Sequence, residues 1–415
     1  MTKEREKVEL AQLAALNRLL AAIVPGNVFY SRKLTVQSVS SLTEFRERVP
    51  FTTKPEIVED QLSHPPYGTN RTFPLERYTR LHQTSGTTGE PLRWLDTPES
   101  WAWMIGCWRI VLQAAGVGAG DRAMFAFSFG PFLGFWTAFE AALEAGMLCI
   151  PGGGLSSAIR LQAMAANRVT VLFCTPTYAM RLGEVAKEEK MDVRQFGLRR
   201  IIVAGEAGGS IPAVRERMEA LWPGAKVFDH HGMTEIGPVT FECPDKPGTL
   251  CVMESAYVAE VIDPVTCREV SEGETGELVL TNLGRVGSPL LRYRTGDLVR
   301  KRYVKSELAF EGGILGRVDD MVIVRGVNLY PSAIEKIVRQ WPDVAEYRVE
   351  IRQVRQMNEM ELIIEPVRDC KGAAGLAGKV EAELGKAFGL RVPVRLAEPG
   401  SLPRFELKSK RWNRV

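Results

Sequence analysis

Val169-Thr-Val-Leu-Phe-Cys174, Arg200-Ile-Ile-Val203 and Lys226-Val-Phe228 are short apolar runs separated by helix-length amphipathic stretches at about 177–189 and 212–221. The same alternation is present upstream, with apolar runs at Ala123–Phe127 and Met147–Ile150 and helical periodicity at about 132–145 and 156–167. Short continuous apolar runs read as strands buried on both faces, and regular alternation with helices implies a parallel sheet covered on each side. The fold class is therefore α/β, with a doubly wound, mostly parallel sheet.

Working outward, residues 1–80 begin as a helix with Leu10, Leu13, Leu16 and Leu20 on one face, then turn mixed around Pro50 and Pro55. From about 250 to 300 strands dominate, among them Val258–Ile262 and Glu277–Leu280 around a Gly-Glu-Thr-Gly turn. This suggests a β-rich subdomain at about 250–316. After Gly316 the chain restarts as a compact α+β unit, with strands at 321–324, 345–351, 360–364 and 391–396 and helices at 332–340 and 375–388. The expected division is 1–318 for the large domain and 319–415 for the small one, with Asp319 at the boundary.

A chain of 415 residues exceeds what one core usually spans, which agrees with that division. Its 53 basic and 50 acidic residues leave a formal charge of +3, too small to point to nucleic acid or an anionic membrane. Cys107, Cys149, Cys174, Cys243, Cys251, Cys267 and Cys370 are odd in number and widely spaced, and no pair reads C-x-x-C. Neither a disulfide framework nor a zinc knuckle is signalled, and a cytoplasmic location is expected. The uncharged run Ala123–Phe139 is shorter than the ~20 residues a membrane span needs and is broken by Gly130-Pro131 and Gly134. Thr2–Glu9 mixes charges of both signs, unlike a signal peptide.

The segment Thr84-Ser85-Gly86-Thr87-Thr88-Gly89 has four hydroxyls and two glycines, a poor composition for a core and a good one for a loop around an anion. It does not match G-x-x-x-x-G-K-[ST], since Thr84 and Glu90 occupy the first glycine and lysine positions, and no strand-placed G-x-G-x-x-G is present. These departures exclude P-loop kinase and dinucleotide-dehydrogenase readings. Four further segments follow in order: Ala204-Gly205-Glu206, His231-Gly232-Met233-Thr234-Glu235, Arg292-Tyr-Arg-Thr-Gly-Asp297 and Gly316-Arg317-Val-Asp319-Asp320.

On these motifs, and on Gly326-Val-Asn-Leu-Tyr-Pro331, the chain resembles the adenylate-forming superfamily of acyl-CoA synthetases from about residue 45 to its end. Within that superfamily it is similar to phenylacetate-CoA ligases. The resemblance implies an ATP-dependent acid:CoA ligase that forms an acyl-adenylate, releases pyrophosphate and passes the acyl group to the thiol of CoA. ATP, Mg²⁺ and CoA are the implied cofactors and cosubstrates, with a small carboxylic acid as substrate. A carrier protein is a further candidate partner, and a homodimer a candidate assembly.

Residue by residue, the resemblance places Thr84, Ser85, Gly86, Thr87, Thr88 and Gly89 on the β- and γ-phosphates. It puts Thr234 on the α-phosphate and Glu235 on Mg²⁺, a hard cation that prefers oxygen donors. Gly205, Glu206, Ala207, His230, His231 and Gly232 would border the adenosine, and Asp297 with Arg317 the ribose, whose hydroxyls donate to a carboxylate. Without the resemblance, Thr234-Glu235 would read as a helix cap and Thr-Gly-Asp as a turn. Lys408 would bridge the acid and the α-phosphate, with Lys410 as competitor, and Asp319 would be the hinge of a rotating small domain.

His231 stands where the family usually has a tyrosine stacking on adenine, which an imidazole can still do over less area, and Glu90 where a lysine is common, with Arg93 a candidate for the missing charge. Relatives of the phenylacetate-CoA ligases carry a structural zinc held by cysteines and a histidine. Here Cys243 is kept, Cys251 takes the histidine position, and 306–314 holds no cysteine, so no structural zinc is expected. Phe125, Phe127, Phe129, Phe132, Phe135 and Trp136 crowd one strand–loop–helix. Alternating phenylalanines on a buried strand read first as core, while Phe129 and Phe132, beside Gly130-Pro131, are the pocket candidates. Together with Gly205, His230 and Met233 they would favour an aryl or medium acyl acid. The same adenylation with a carrier-protein or amine acceptor, and a nucleotide-binding homologue without turnover, are the alternative readings.

Overall fold

The computed structural model describes residues 3–84, 91–325, 327–354, 357–368, 370, 372–405 and 410–415. A five-stranded parallel sheet forms its centre, in the order Leu148–Pro151, Arg122–Phe125, Val171–Cys174, Arg200–Val203, Lys226–Asp229. Successive side chains on each strand enter opposite layers, as the two-residue period of a strand requires. Phe125, Phe173, Ile202 and Phe228 pack with Met104, Trp108 and Ala138, from helices Pro98–Ala114 and Leu133–Glu144. Met124, Leu172, Ile201 and Val227 pack with Leu161, Tyr178, Leu182 and Met218, from helices Ser157–Ala166, Pro176–Glu188 and Pro212–Leu221. The expected strands and helices lie within about two residues of those observed.

A six-stranded antiparallel sheet follows, in the order Thr240–Glu242, Thr249–Val252, Glu307–Arg317, Tyr293–Val304, Thr275–Asn282, Tyr257–Ile262. It begins earlier than the β-rich stretch read from the sequence, and its longest hairpin, Tyr293–Val304 with Glu307–Arg317, contains two of the quoted motifs. The leucines of the first helix, Lys3–Ile23, seal its far edge. Leu16, Leu19, Leu20 and Ile23 are buried with Val258, Leu283 and Leu291.

The C-terminal unit has its own core, built on a four-stranded sheet (Val394–Leu396, Met357–Pro366, Val344–Val354, Trp412–Arg414) and helices Pro331–Val338 and Ala373–Phe388.

One expectation is corrected here. Cys243 and Cys251 form a disulfide, although the spacing gave no such signal. The turn after Cys243 returns the chain through Lys246 and Thr249 into an antiparallel pairing. That pairing brings the two Cα atoms to 5.4 Å, within the range a disulfide spans. Local spacing rules look for C-x-x-C and miss a bridge across a hairpin.

Candidate active site

The carboxyl ends of the parallel strands open onto one crevice, where folds of this kind bind ligands. Beyond Val203 the chain enters Ala204–Gly208, with Gly205 at φ +93°, a conformation that favours glycine. Glu206 turns back so that its Oε1 accepts a hydrogen bond from Thr177 N (2.9 Å) at the start of helix Pro176–Glu188. Beyond Asp229 the chain passes through His230 and His231 into a small hairpin, Gly232–Met233 against Gly237–Pro238. A Cβ on Gly232 would meet the Gly237 carbonyl oxygen at 2.8 Å, so the close approach requires glycine. No helix follows: Thr234 and Glu235 form the tip of this hairpin, which removes the helix-cap reading.

Arg285, braced by Asp96, and Tyr293 hold that tip; the first two were not singled out by sequence patterns, and the last stands inside the Arg292–Asp297 motif without a role of its own. Arg285 Nη1 donates to the carbonyl oxygens of Thr234 (2.8 Å) and Glu235 (2.9 Å). The rest of its guanidinium forms a two-pronged ion pair with Asp96, both bonds 2.7 Å, and neither side chain is exposed at all. Tyr293 Oη donates to Glu235 Oε1 (3.2 Å). Burial, then the neighbouring Glu235 charge, pushes the Tyr293 hydroxyl far above its ordinary pKa, so it stays a proton donor. Among the described residues no cation pairs with the Glu235 carboxylate. An oxygen donor so placed, oriented by one hydroxyl, suits a hard divalent cation.

The second cluster is His231, Asp297 and Arg317. Asp297 and Arg317 are register partners on the long hairpin, and the Arg317 Nη1 to Asp297 Oδ1 distance is 3.2 Å. His231 Nε2 lies 3.1 Å from the other carboxylate oxygen. Arg317 Nε also donates to Asp319 Oδ1 (2.8 Å), which ties the ribose-candidate pair to the expected hinge. His231 thus hydrogen-bonds the acid that would face a ribose, a role a sequence reading centred on ring stacking missed.

The aromatic wall divides. Phe125 is buried and stacked on Phe173 at 4.5 Å, and Phe127 is stacked on Phe135 at 4.0 Å, so both belong to the core. Phe129 and Phe132 are half-buried, and among the described residues no ring contact joins them to His230. His230 is buried edge-on against Trp108 at 4.4 Å, and burial, then the charge of His231, pushes its pKa down to about 3. It is therefore a neutral ring, and its Nδ1 has no hydrogen-bond partner among the described residues. Met233 packs against the same core, on a strand that touches helix Leu133–Glu144. Trp108, three turns into its helix, covers His230 from within the core, a contact that only the fold reveals.

Arg93 donates to the Pro66 carbonyl oxygen (3.1 Å). Ser85, Gly86, Thr87, Thr88, Gly89 and Glu90, with Lys408, lie outside the described residues. Thr84 closes the stem of the phosphate-loop candidate by two bonds of 3.0 Å to Leu92.

The profile of the AMP-binding enzyme family matches residues 40–284, and that of the AMP-binding enzyme C-terminal domain matches 326–413. The chain belongs to the AMP-binding enzyme family. Within this family it is similar to phenylacetate-coenzyme A ligase of Thermus thermophilus, 30% identical over 98% of this chain and 96% of that one. Similarity to phenylacetate-coenzyme A ligase of Escherichia coli is 28% over 99% and 95%. The structure superposes on 2-hydroxyisobutyryl-CoA ligase in its postadenylation state with a TM-score of 0.92 at 28% identity, over 98% of this chain and 89% of that one. Against the same enzyme in its thioesterification state the TM-score is 0.74 at 29% identity, over 100% and 90%.

Proposed function

We infer that the protein is an ATP-dependent acid:CoA ligase that activates an aryl or medium acyl carboxylic acid as an acyl-adenylate. The observation that carries this is the Thr234–Glu235 tip held beside the sheet's carboxyl edge, with the Asp297–His231–Arg317 cluster anchored in the same His231–Glu235 segment. Two anions, a carboxylate and a polyphosphate, must meet in the adenylation step, so positioning and charge stabilisation dominate.

In this reading the Thr234 hydroxyl donates to an α-phosphate oxygen and Asp297 accepts from the ribose hydroxyls. Ser85–Gly89 supply backbone donors to the outer phosphates. Glu235 would hold Mg²⁺, which supplies charge neutralisation to the phosphates when bound. Lys408 would approach the α-phosphate from the small domain, which is fitting for a flexible point charge. Rotation about Asp319 would then admit CoA. The structure superposes better on the postadenylation than on the thioesterification arrangement of 2-hydroxyisobutyryl-CoA ligase, in keeping with a small domain still in its adenylating position. The half-buried rings of Phe129 and Phe132 support an acid with an apolar body rather than acetate.

The test is ATP–pyrophosphate exchange over a panel of aryl and aliphatic acids with wild type and Lys408→Ala. Exchange should depend on one class of acid and fall by about 10²–10³-fold in the variant. No exchange with any acid, despite ATP binding, would overturn the ligase reading.

A further inference from the structure

Between the stem of the phosphate-loop candidate and the Thr234–Glu235 tip runs, among the described residues, a charged link. Asp96 ends strand Arg93–Asp96, which pairs with Arg80–Gln83 to form the stem that closes through Thr84 and Leu92. Arg285 holds that carboxylate with two nitrogens and turns Nη1 onto both carbonyl oxygens of the tip. The segment carrying Arg285 is itself stitched to the stem. Ser288 Oγ donates to Leu95 O (2.6 Å), and Gly287 N donates to Ser100 Oγ (3.2 Å). His82, on the other stem strand, sits with Nδ1 3.8 Å from Asp96 Oδ2 and its ring stacked on Trp101 at 5.1 Å.

We propose that Asp96 and Arg285 are positioning residues that fix the Thr234–Glu235 tip relative to the phosphate-loop stem, so that the two halves of the triphosphate site act as one unit. The inference rests on the ligase reading for the ligand, but not for the link itself. A guanidinium is needed because one planar fork must serve a carboxylate and two carbonyls at once, which an ammonium cannot do. A role confined to folding would weaken every activity equally. A positioning role falls chiefly on the Mg·ATP step, because CoA attack on a preformed acyl-adenylate no longer uses the outer phosphates or their metal and keeps only the Thr234 contact to the α-phosphate.

Arg285→Lys is the discriminating variant, since it keeps the charge. ATP–pyrophosphate exchange should fall by about 10–100-fold, the range seen when an outer-shell partner is lost. By calorimetry, the Mg²⁺ needed for half-maximal ATP binding should rise by about 10-fold. Thioester formation from synthetic acyl-adenylate and CoA should stay within about 3-fold of wild type. Unchanged exchange and Mg²⁺ dependence, or equal loss in both half-reactions, would overturn the proposal.

A buried variant can fail to fold, so the unaltered protein is probed as well, by amide hydrogen exchange. Adding Mg²⁺ with α,β-methylene-ATP should slow exchange in both 232–238 and 91–97, and protection confined to one segment would likewise overturn the proposal. Calorimetry and hydrogen exchange need only nucleotide and metal. Failure of wild type to turn over any acid would therefore count against the ligase reading and leave this one to be judged on those two readouts.

Discussion

In the large body charges are buried in matched pairs, whereas the seam with the C-terminal unit is crossed, among the described residues, by one-sided polar contacts. Asp96–Arg285 and Glu260–Arg292 are almost fully enclosed, and Arg292 Nη1 also donates to the Val49 carbonyl oxygen (2.8 Å). Across the seam, Arg217 Nη1 donates to the Val344 carbonyl oxygen (2.7 Å) and Ser332 Oγ meets the Leu315 carbonyl oxygen. The direct ion pairs of Glu335 and Glu346 are with Arg339 and Arg411, inside the C-terminal unit's own core. Contacts of the first kind are costly to break one partner at a time. Those of the second exchange readily with water. The difference suits the proposal of a fixed nucleotide wall and a C-terminal unit that rotates.

Three perturbations would break or sharpen that contrast. The largest is Glu260→Gln, which leaves Arg292 buried beside a neutral amide. It should cost about 3–5 kcal/mol in urea unfolding, and a loss under ~1 kcal/mol would show the wall to be no stiffer than the seam.

The next concerns pH. Burial pushes Asp229, beside His230, up to about 6, with the Ser210 hydrogen bond opposing it. A carboxyl whose folded pKa lies above the unfolded value near 3.9 favours the folded state while protonated. That stability is present below about pH 4 and lost as pH rises to about 6. Asp229→Asn should flatten the change in unfolding free energy between pH 4 and 7 by about 1–3 kcal/mol; a slope identical to wild type would refute the assignment.

The smallest effect is at the seam. Arg217→Ala removes the hydrogen bond to Val344, about 0.5–1.5 kcal/mol, together with a long contact to Glu184 (3.5 Å), and should lower pyrophosphate exchange by about 2–10-fold while moving the unfolding midpoint of the large body little. A fall in that midpoint would place Arg217 with the fixed wall.

The parallel sheet was legible because its strands are continuous apolar runs, and Asp297, Arg317, Thr234 and Glu235 because their motifs are local. Asp96 and Arg285 were not, since a lone acid and a lone base carry no sign of each other at long separation. The Cys243–Cys251 bridge and the division of the phenylalanines into stacked core and half-buried wall likewise depend on which strands pair and which helix covers them. His231 was read for its ring, whereas the structure uses its Nε2.

Asp96 and Arg285 lie 189 residues apart in the chain. A ribosome adding ~5–20 residues per second needs roughly 10–40 s to make the second after the first. Throughout that interval the Asp96 carboxylate, fully buried in the finished protein, has only His82 beside it and lacks its guanidinium partner, so the stem does not reach its final packing during synthesis. Completion of the nucleotide wall is thereby deferred until most of the large body has emerged, and truncated products ending before residue 285 are expected to be targets for chaperones and proteases rather than stable partial enzymes.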